Sequence, residues 1–228
     1  MNERLRLRAV DLGRTASSSD VIYDALRDAI IRGEISEGEN LRQDSVAQMF
    51  NVSRIPVREA LKRLEAQGLV TSARYKGVVV ASMSVPEIEE IFEFRALIEP
   101  TVIEHAVPRM SQATLDEARR HCAAFAAETD PSRWGDLNRA FHTALYRDAG
   151  RPYYQSVIDK TSDRIERYVR AQLDLTHGMQ RARADHQAIL DACFRRDAKA
   201  AGRLTRAHIA NASKTLIAFL RDHARQPA

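Results

Sequence analysis

A chain of 228 residues, 44% of them hydrophobic, is long enough for two modest domains with a core each. Its net charge of +4 permits a nucleic-acid partner without demanding one, so the local distribution of charge has to decide. No apolar run approaches the ~20 residues of a membrane helix, which excludes insertion on length. Cys122 and Cys193 stand in helical contexts with no secretory h-region before them, as expected of core thiols in a reduced, cytoplasmic protein.

Residues 1–17 carry charge but no sustained apolar period and read as a flexible basic arm. Ser18, Ser19 and Asp20 offer caps for a helix over Val21 to Arg32, with Ile22, Leu26, Ala29 and Ile30 as its apolar stripe and Gly33 as its stop. After a glycine-punctuated turn, a short helix from Asp44 to Phe50 is expected to turn Val46, Met49 and Phe50 inward. Asn51-Val52-Ser53 then joins it to a further helix. Ser53 is placed to cap that helix and Pro56 falls in its first turn. Val57, Ala60, Leu61 and Leu64 repeat at three and four residues and mark its buried face. Two helices joined this tightly form a helix-turn-helix.

Arg54 and Arg58, four residues apart, emerge on a common side near the start of that helix, with Lys62 and Arg63 a turn later. Guanidiniums suit a guanine edge in the major groove, while helix N-terminal amides suit phosphate. Leu69 to Ser72 and Val78 to Ala81 are β-prone and flank Ala73-Arg74-Tyr75-Lys76-Gly77, which reads as a hairpin with a basic tip. Between Arg54 and Lys76 the acids Glu59 and Glu65 are outnumbered by Arg54, Arg58, Lys62, Arg63, Arg74 and Lys76. The segments GEISEGENL, DSVAQMFNVSRIPVREAL, KRLEAQGLV and YKGVVVA together resemble the winged helix-turn-helix domain of GntR-type transcription regulators over residues 18–82. The resemblance implies that Arg54 and Arg58 read DNA from the recognition helix and that Arg74 to Gly77 form the wing tip. The expected DNA-binding set is Ser53, Arg54, Arg58, Lys62, Arg74, Lys76 and Gly77, with Ile55 standing where some members carry a hydroxyl.

Ser82 to Pro86 breaks the β pattern, and Ser84 is placed to cap a helix beginning at Val85. The rest reads as helices over Val85 to Ala106, Gln112 to Glu128, Pro131 to Asp148, Pro152 to Leu175, Met179 to Arg195 and Ala198 to Arg221, an all-α bundle of six. The fold expected is therefore mainly α: a winged helix-turn-helix with a small β-hairpin, then a helical bundle over 83–228. Asn138 and His142 are four apart on one helix. His186 and His208 each lie eleven residues from Asp197. If the helices on either side of Asp197 fold back on each other, those two imidazoles meet at one height, and the group suits a divalent metal. His105, His121, His177 and His223 lack such partners.

The segments IEEIFEFRALIEPTVIEHAV, LNRAFHTALYRDAG and DHQAILDACFRRDAKAAGRLTRAHI resemble the FCD effector domain of the FadR subfamily of GntR regulators. That resemblance implies a metal held by Asn138, His142, His186 and His208, with Asn138 where an Asp is common and hence one negative charge fewer. Zinc and nickel both suit such a donor set. Arg95 matches a recurrent arginine and is expected either to face an effector or to pair with Glu99; Arg164, Arg167 and Arg170 are further candidates. Together the resemblances imply a homodimeric repressor that binds a palindromic operator and responds to a small carboxylate metabolite. The alternatives are a metal-dependent hydrolase, against which stands the lack of HExxH, nucleophile-elbow and phosphate-loop motifs, and a direct metal sensor.

Overall fold

The computed structural model describes residues 17–74, 77–175 and 178–223. The N-terminal arm up to residue 16, Lys76 at the wing tip and His177 lie outside them. The chain divides into two compact units between Ser82 and Met83.

In the first unit, α1 (Ser18–Ile31) starts one turn earlier than the sequence suggested, because Ser17 is the cap. The Asp20 amide donates to Ser17 Oγ and the Ser17 amide to the Asp20 carboxylate, a reciprocal capping box that satisfies two end donors. Its buried face is Ile22, Tyr23, Leu26, Ile30 and Ile31. In α2 (Gln43–Met49), Val46 and Ala47 are buried and Phe50 packs partly against the core. Met49, expected inside, is 75% exposed; the helix is only two turns long and its inward stripe runs through Ala47 instead. Asn51 takes a left-handed φ of 51° and reverses the chain into α3 (Arg54–Ala66), a conformation Asn tolerates better than most residues. Val57, Ala60, Leu61 and Leu64 are all at most 2% exposed. Ser53 occupies the cap position of α3, but its side chain makes no capping hydrogen bond.

The strands β1 (Val70–Ala73) and β2 (Gly77–Val80) pair antiparallel, with Val70 opposite Val80 and Ala73 opposite Gly77. Val70 and Val80 face the core. An isolated bridge from Asn40 to Val79 ties the segment before α2 to this hairpin.

The second unit contains six α-helices among the described residues: α4 (Val85–Ala106), α5 (Gln112–Ala127), α6 (Pro131–Tyr146), α7 (Pro152–Leu175), α8 (Gly178–Phe194) and α9 (Ala198–His223). Ser84 caps α4 in a second capping box, with Glu87. The fourth to ninth helices match the six-helix reading closely. One end differs: α6 stops at Tyr146, and Arg147–Ala149 tighten into a 3-10 turn closed by Gly150 in the left-handed region. The Asp148 carboxylate there accepts from the Ser111 amide and so serves the start of α5 rather than its own helix. Helix α9 packs along α4 and α8, α5 against α6 and α8, and α7 against α4 and α6. Val102, Ile103, Phe141, Leu145 and Ile189 centre one core cluster and Ile88, Phe92, Ile165, Ile209 and Leu216 another. Cys122 and Cys193 are free and buried, and burial pushes the Cys193 thiol up to about 12. Both therefore behave as small apolar side chains. No helix among the described residues is long and apolar enough to cross a membrane.

A candidate DNA-reading helix and a buried histidine cluster

Each unit holds one candidate site. In the first, packing of Val57, Ala60, Leu61 and Leu64 fixes the roll of α3, so the opposite face is presented to solvent. Ser53, Arg54, Arg58 and Lys62 are exposed there, as are Arg74 and Gly77 on the hairpin. Arg58 and Lys62 have no hydrogen-bond or ion-pair partner among the described residues, whereas the Arg54 guanidinium pairs with Asp44 at the start of α2. Arg63 is engaged with α1 instead: it bonds Asp20 at 2.6 Å and lies 4.0 Å from the centre of the Tyr23 ring. Gly77 has φ 79°, so a side chain at this edge of the wing would be strained.

In the second unit, three helices bring three imidazoles together. The α8–α9 hairpin turns at Arg196, whose φ is 58°, and Asp197 receives the Ala200 amide at 2.9 Å. His186 and His208 thereby reach the same height, with ring centres 4.9 Å apart. His142 from α6 completes the group, 5.0 Å from His186 and 5.3 Å from His208. One ring nitrogen from each lies within 4.8 Å of the others. His105 and His121 lie elsewhere.

Two of these histidines, His142 and His186, are buried with ring nitrogens that have no partner. His186 is 0% exposed and wedged against the Phe125 and Phe141 rings, with centroid distances of 4.6 and 4.5 Å. Both its nitrogens, and Nε2 of His142, are buried without a hydrogen-bond partner. Burial, then the neighbouring imidazoles, holds the His142 and His186 pKa values well below the usual histidine range; Arg95 adds to this at His142. Neutral rings with free lone pairs are the form that ligates a metal.

Behind two of the rings stand acceptors that the sequence reading did not assign to the site. The Asp185 carboxylate lies 3.1 Å from His208 Nδ1. Tyr146 Oη lies 3.3 Å from His142 Nδ1 and donates to Glu99 at 2.7 Å. Glu99 in turn takes Arg95 Nε at 2.5 Å. Burial would lower the Arg95 pKa, but the Glu99 carboxylate outweighs it and the value is raised. Only the i, i+4 spacing of Tyr146 and of Glu99 relative to His142 and Arg95 could have hinted at this chain.

A cavity of ≈ 220 Å³ opens beside the cluster, and Arg95, Asn138, His142, Arg181, Asp185 and His208 are in its wall. A second, of ≈ 30 Å³, shares Arg95, Asn138 and His142 with it. Asn138 thus stands with the histidines, one turn before His142 and half-buried. Arg95 pairs with Glu99 and also lines the cavity. Arg170 is engaged with α6, bonding Ser132 O at 2.8 Å and Asp136 at 2.6 Å. It crosses Gly135 so closely that a Cβ would lie 2.6 Å from the guanidinium. Arg164 and Arg167 line neither cavity.

Residues 18–80 match the gntR family of bacterial regulatory proteins and residues 90–211 match the FCD domain. The HTH-type transcriptional repressor GlaR of Escherichia coli K12 is 30% identical over 200 residues, covering 82% of this chain and 90% of that one. The chain belongs to the GntR family. This GntR-family protein is a DNA-binding transcription regulator, and its relatives are regulators rather than enzymes. A GntR-family regulator of Pseudomonas syringae pv. tomato shares 28% identity with it, with a TM-score of 0.56 over 91% of this chain and 87% of that one. A GntR-type regulator of Rhodococcus sp. RHA1 shares the fold at 22% identity, with a TM-score of 0.78 over 89% and 99% of the two chains. The hydrolase alternative is therefore set aside.

Proposed function

We propose that this GntR-family regulator is a cytoplasmic, homodimeric repressor whose affinity for a palindromic operator is set by a small carboxylate metabolite bound beside a divalent metal. The observation that carries the metal reading is the set of buried, partnerless nitrogens on converging imidazoles. A buried polar atom left without a partner costs about 1 to 3 kcal/mol, and a Lewis acid removes that cost where a proton cannot. The donor set fits zinc or nickel, held by His142, His186 and His208 with Asn138 alongside. When bound, the ion offers a carboxylate-binding centre. The chain's own residues shape the rest: Arg181 adds positive charge to the cavity wall, where Arg95 stands paired with Glu99, and Phe125 and Phe141 exclude water from the far side of His186.

At the DNA end, Arg54 and Arg58 read base edges in the major groove, Ser53 and Lys62 hold phosphate, and Arg74, Lys76 and Gly77 form a wing on the backbone. The two-fold dimer is supported by Phe94 and Leu97, three residues apart on α4 and 37% and 60% exposed, an apolar strip that a second copy can cover. The effector acts only through unequal affinity for the DNA-competent and incompetent arrangements.

Native mass spectrometry of the full chain after exposure to zinc or nickel tests the metal reading. One ion per chain is expected for the natural sequence and none for His142→Ala, while both still bind duplexes selected from a random library. Equal metal uptake by the two would remove the reading. If zinc alone changes duplex binding, with no carboxylate from an added panel having any effect, the protein is a direct metal sensor instead.

A further inference from the structure

The chain of contacts behind His142 determines where protons can be. Glu99 is 1% exposed, and its two carboxyl oxygens take the Arg95 guanidinium and the Tyr146 hydroxyl, so toward Tyr146 it is the acceptor. Arginine supplies no acceptor, and the single phenolic proton of Tyr146 points to the Glu99 carboxylate at 2.7 Å. What Tyr146 turns toward His142 is therefore an oxygen lone pair. At 3.3 Å from that lone pair, Nδ1 of His142 has to carry a proton, since two lone pairs facing each other would repel. A neutral imidazole has only one proton, which leaves Nε2 bare, and Nε2 is the buried nitrogen with no partner.

We infer that Tyr146 is a positioning residue: backed by Glu99 and Arg95, it fixes His142 as the Nδ1–H tautomer and presents Nε2 to the histidine cluster. Asp185 occupies the equivalent place behind His208 Nδ1. Acceptors behind metal-ligating imidazoles orient the ring and raise its basicity, and their loss lowers metal affinity about 10- to 100-fold. The inference rests on the proposed metal site only for its purpose. The tautomer is a property of the metal-free chain.

The test uses full-length protein with 15N-labelled histidine, stripped of metal with EDTA, and reads the His142 tautomer from long-range 1H–15N correlations. The natural chain is expected to show a protonated Nδ1 and an unprotonated Nε2. Tyr146→Phe, which keeps the ring and removes the hydroxyl, should give a mixture of tautomers and a zinc affinity about 10- to 100-fold lower. In Glu99→Gln the amide can donate to Tyr146, freeing the phenol to donate to Nδ1, so His142 should move to the Nε2–H form. A protonated Nε2 in the natural chain overturns the inference, as does a Tyr146→Phe variant with unchanged tautomer and unchanged zinc affinity. Should the natural chain bind no zinc, the metal reading fails and the tautomer alone decides the role of Tyr146.

Discussion

His186→Leu should change sign with metal. The imidazole is fully buried between Phe125 and Phe141 and both its nitrogens lack partners. Each unsatisfied atom costs about 1 to 3 kcal/mol, and leucine of similar size removes both, less roughly 1 kcal/mol for imperfect repacking. A net stabilisation of about 2 kcal/mol is therefore expected for metal-free protein, a rise of roughly 4 to 8 °C in Tm for a chain of this size. Zinc at 100 times its Kd would stabilise the natural sequence by about 2.7 kcal/mol and the variant by far less, so the order closes or reverses. Trp134 is the chain's single tryptophan and lies on α6, where its Nε1 donates to Glu128 O at 3.1 Å. Its fluorescence during thermal unfolding, in EDTA and in zinc, reports the helical unit specifically. If His186→Leu lowered Tm in EDTA as much as in zinc, the imidazole would be an ordinary satisfied core group and the cost assigned to its bare nitrogens would be wrong.

Two further outcomes rest on the surface chemistry. Arg58→Ala should cost about 1 to 3 kcal/mol on a selected duplex and much less on random DNA, as seen by fluorescence anisotropy; equal losses on both would reassign Arg58 to phosphate. The Arg147 guanidinium, with a smaller contribution from His121, holds the Glu117 carboxyl down at about 2, and in Arg147→Met an NMR titration should find it raised toward the ordinary value of about 4.3. Because the folded-state pKa is depressed, the pair's contribution is complete above about 4.3 and fades as pH falls toward 2; for so exposed a pair it is at most ~1 kcal/mol.

The elements legible in advance were those written in period and punctuation. Val57, Ala60, Leu61 and Leu64 define the buried side of α3, and equal spacing about Asp197 brought His186 to His208, because a helical hairpin converts sequence symmetry into height. Ends were less legible. Ser17 rather than Ser18 caps α1 because the reciprocal bond needs an acid at the third helical position, and Asp20 supplies it. Met49 and Ser53 misled for a related reason: in a two-turn helix the apolar stripe is too short to fix its own rotation, and a serine at a cap position need not bond. The acceptors behind the cluster were hidden because they face inward from three different helices. Glu99 looks from sequence like the outer half of a surface i, i+4 pair with Arg95, and only tertiary packing makes it a buried carboxylate that dictates a proton position.

Asn138 decides how metal and effector should depend on each other. The proposed donors are three imidazoles and an amide, none of which brings negative charge; of the nearby carboxylates, Glu99 is paired with Arg95 and Asp185 stands behind His208 rather than among the donors. A divalent ion in this setting keeps its charge with little compensation, and buried uncompensated charge is costly. An anionic ligand supplies what is missing, so carboxylate and metal should each raise the affinity of the other by one common factor, of order 5- to 150-fold for typical couplings. Asn138→Asp places a carboxylate in the cavity wall beside His142. It should tighten zinc in the absence of ligand and shrink that factor, because the ion is then partly neutralised before the ligand arrives. Calorimetric zinc titrations with and without a weakly chelating monocarboxylate, on both chains, measure the factor directly. A coupling of equal size in the natural chain and in Asn138→Asp would show that charge compensation at this position is not what links the two ligands.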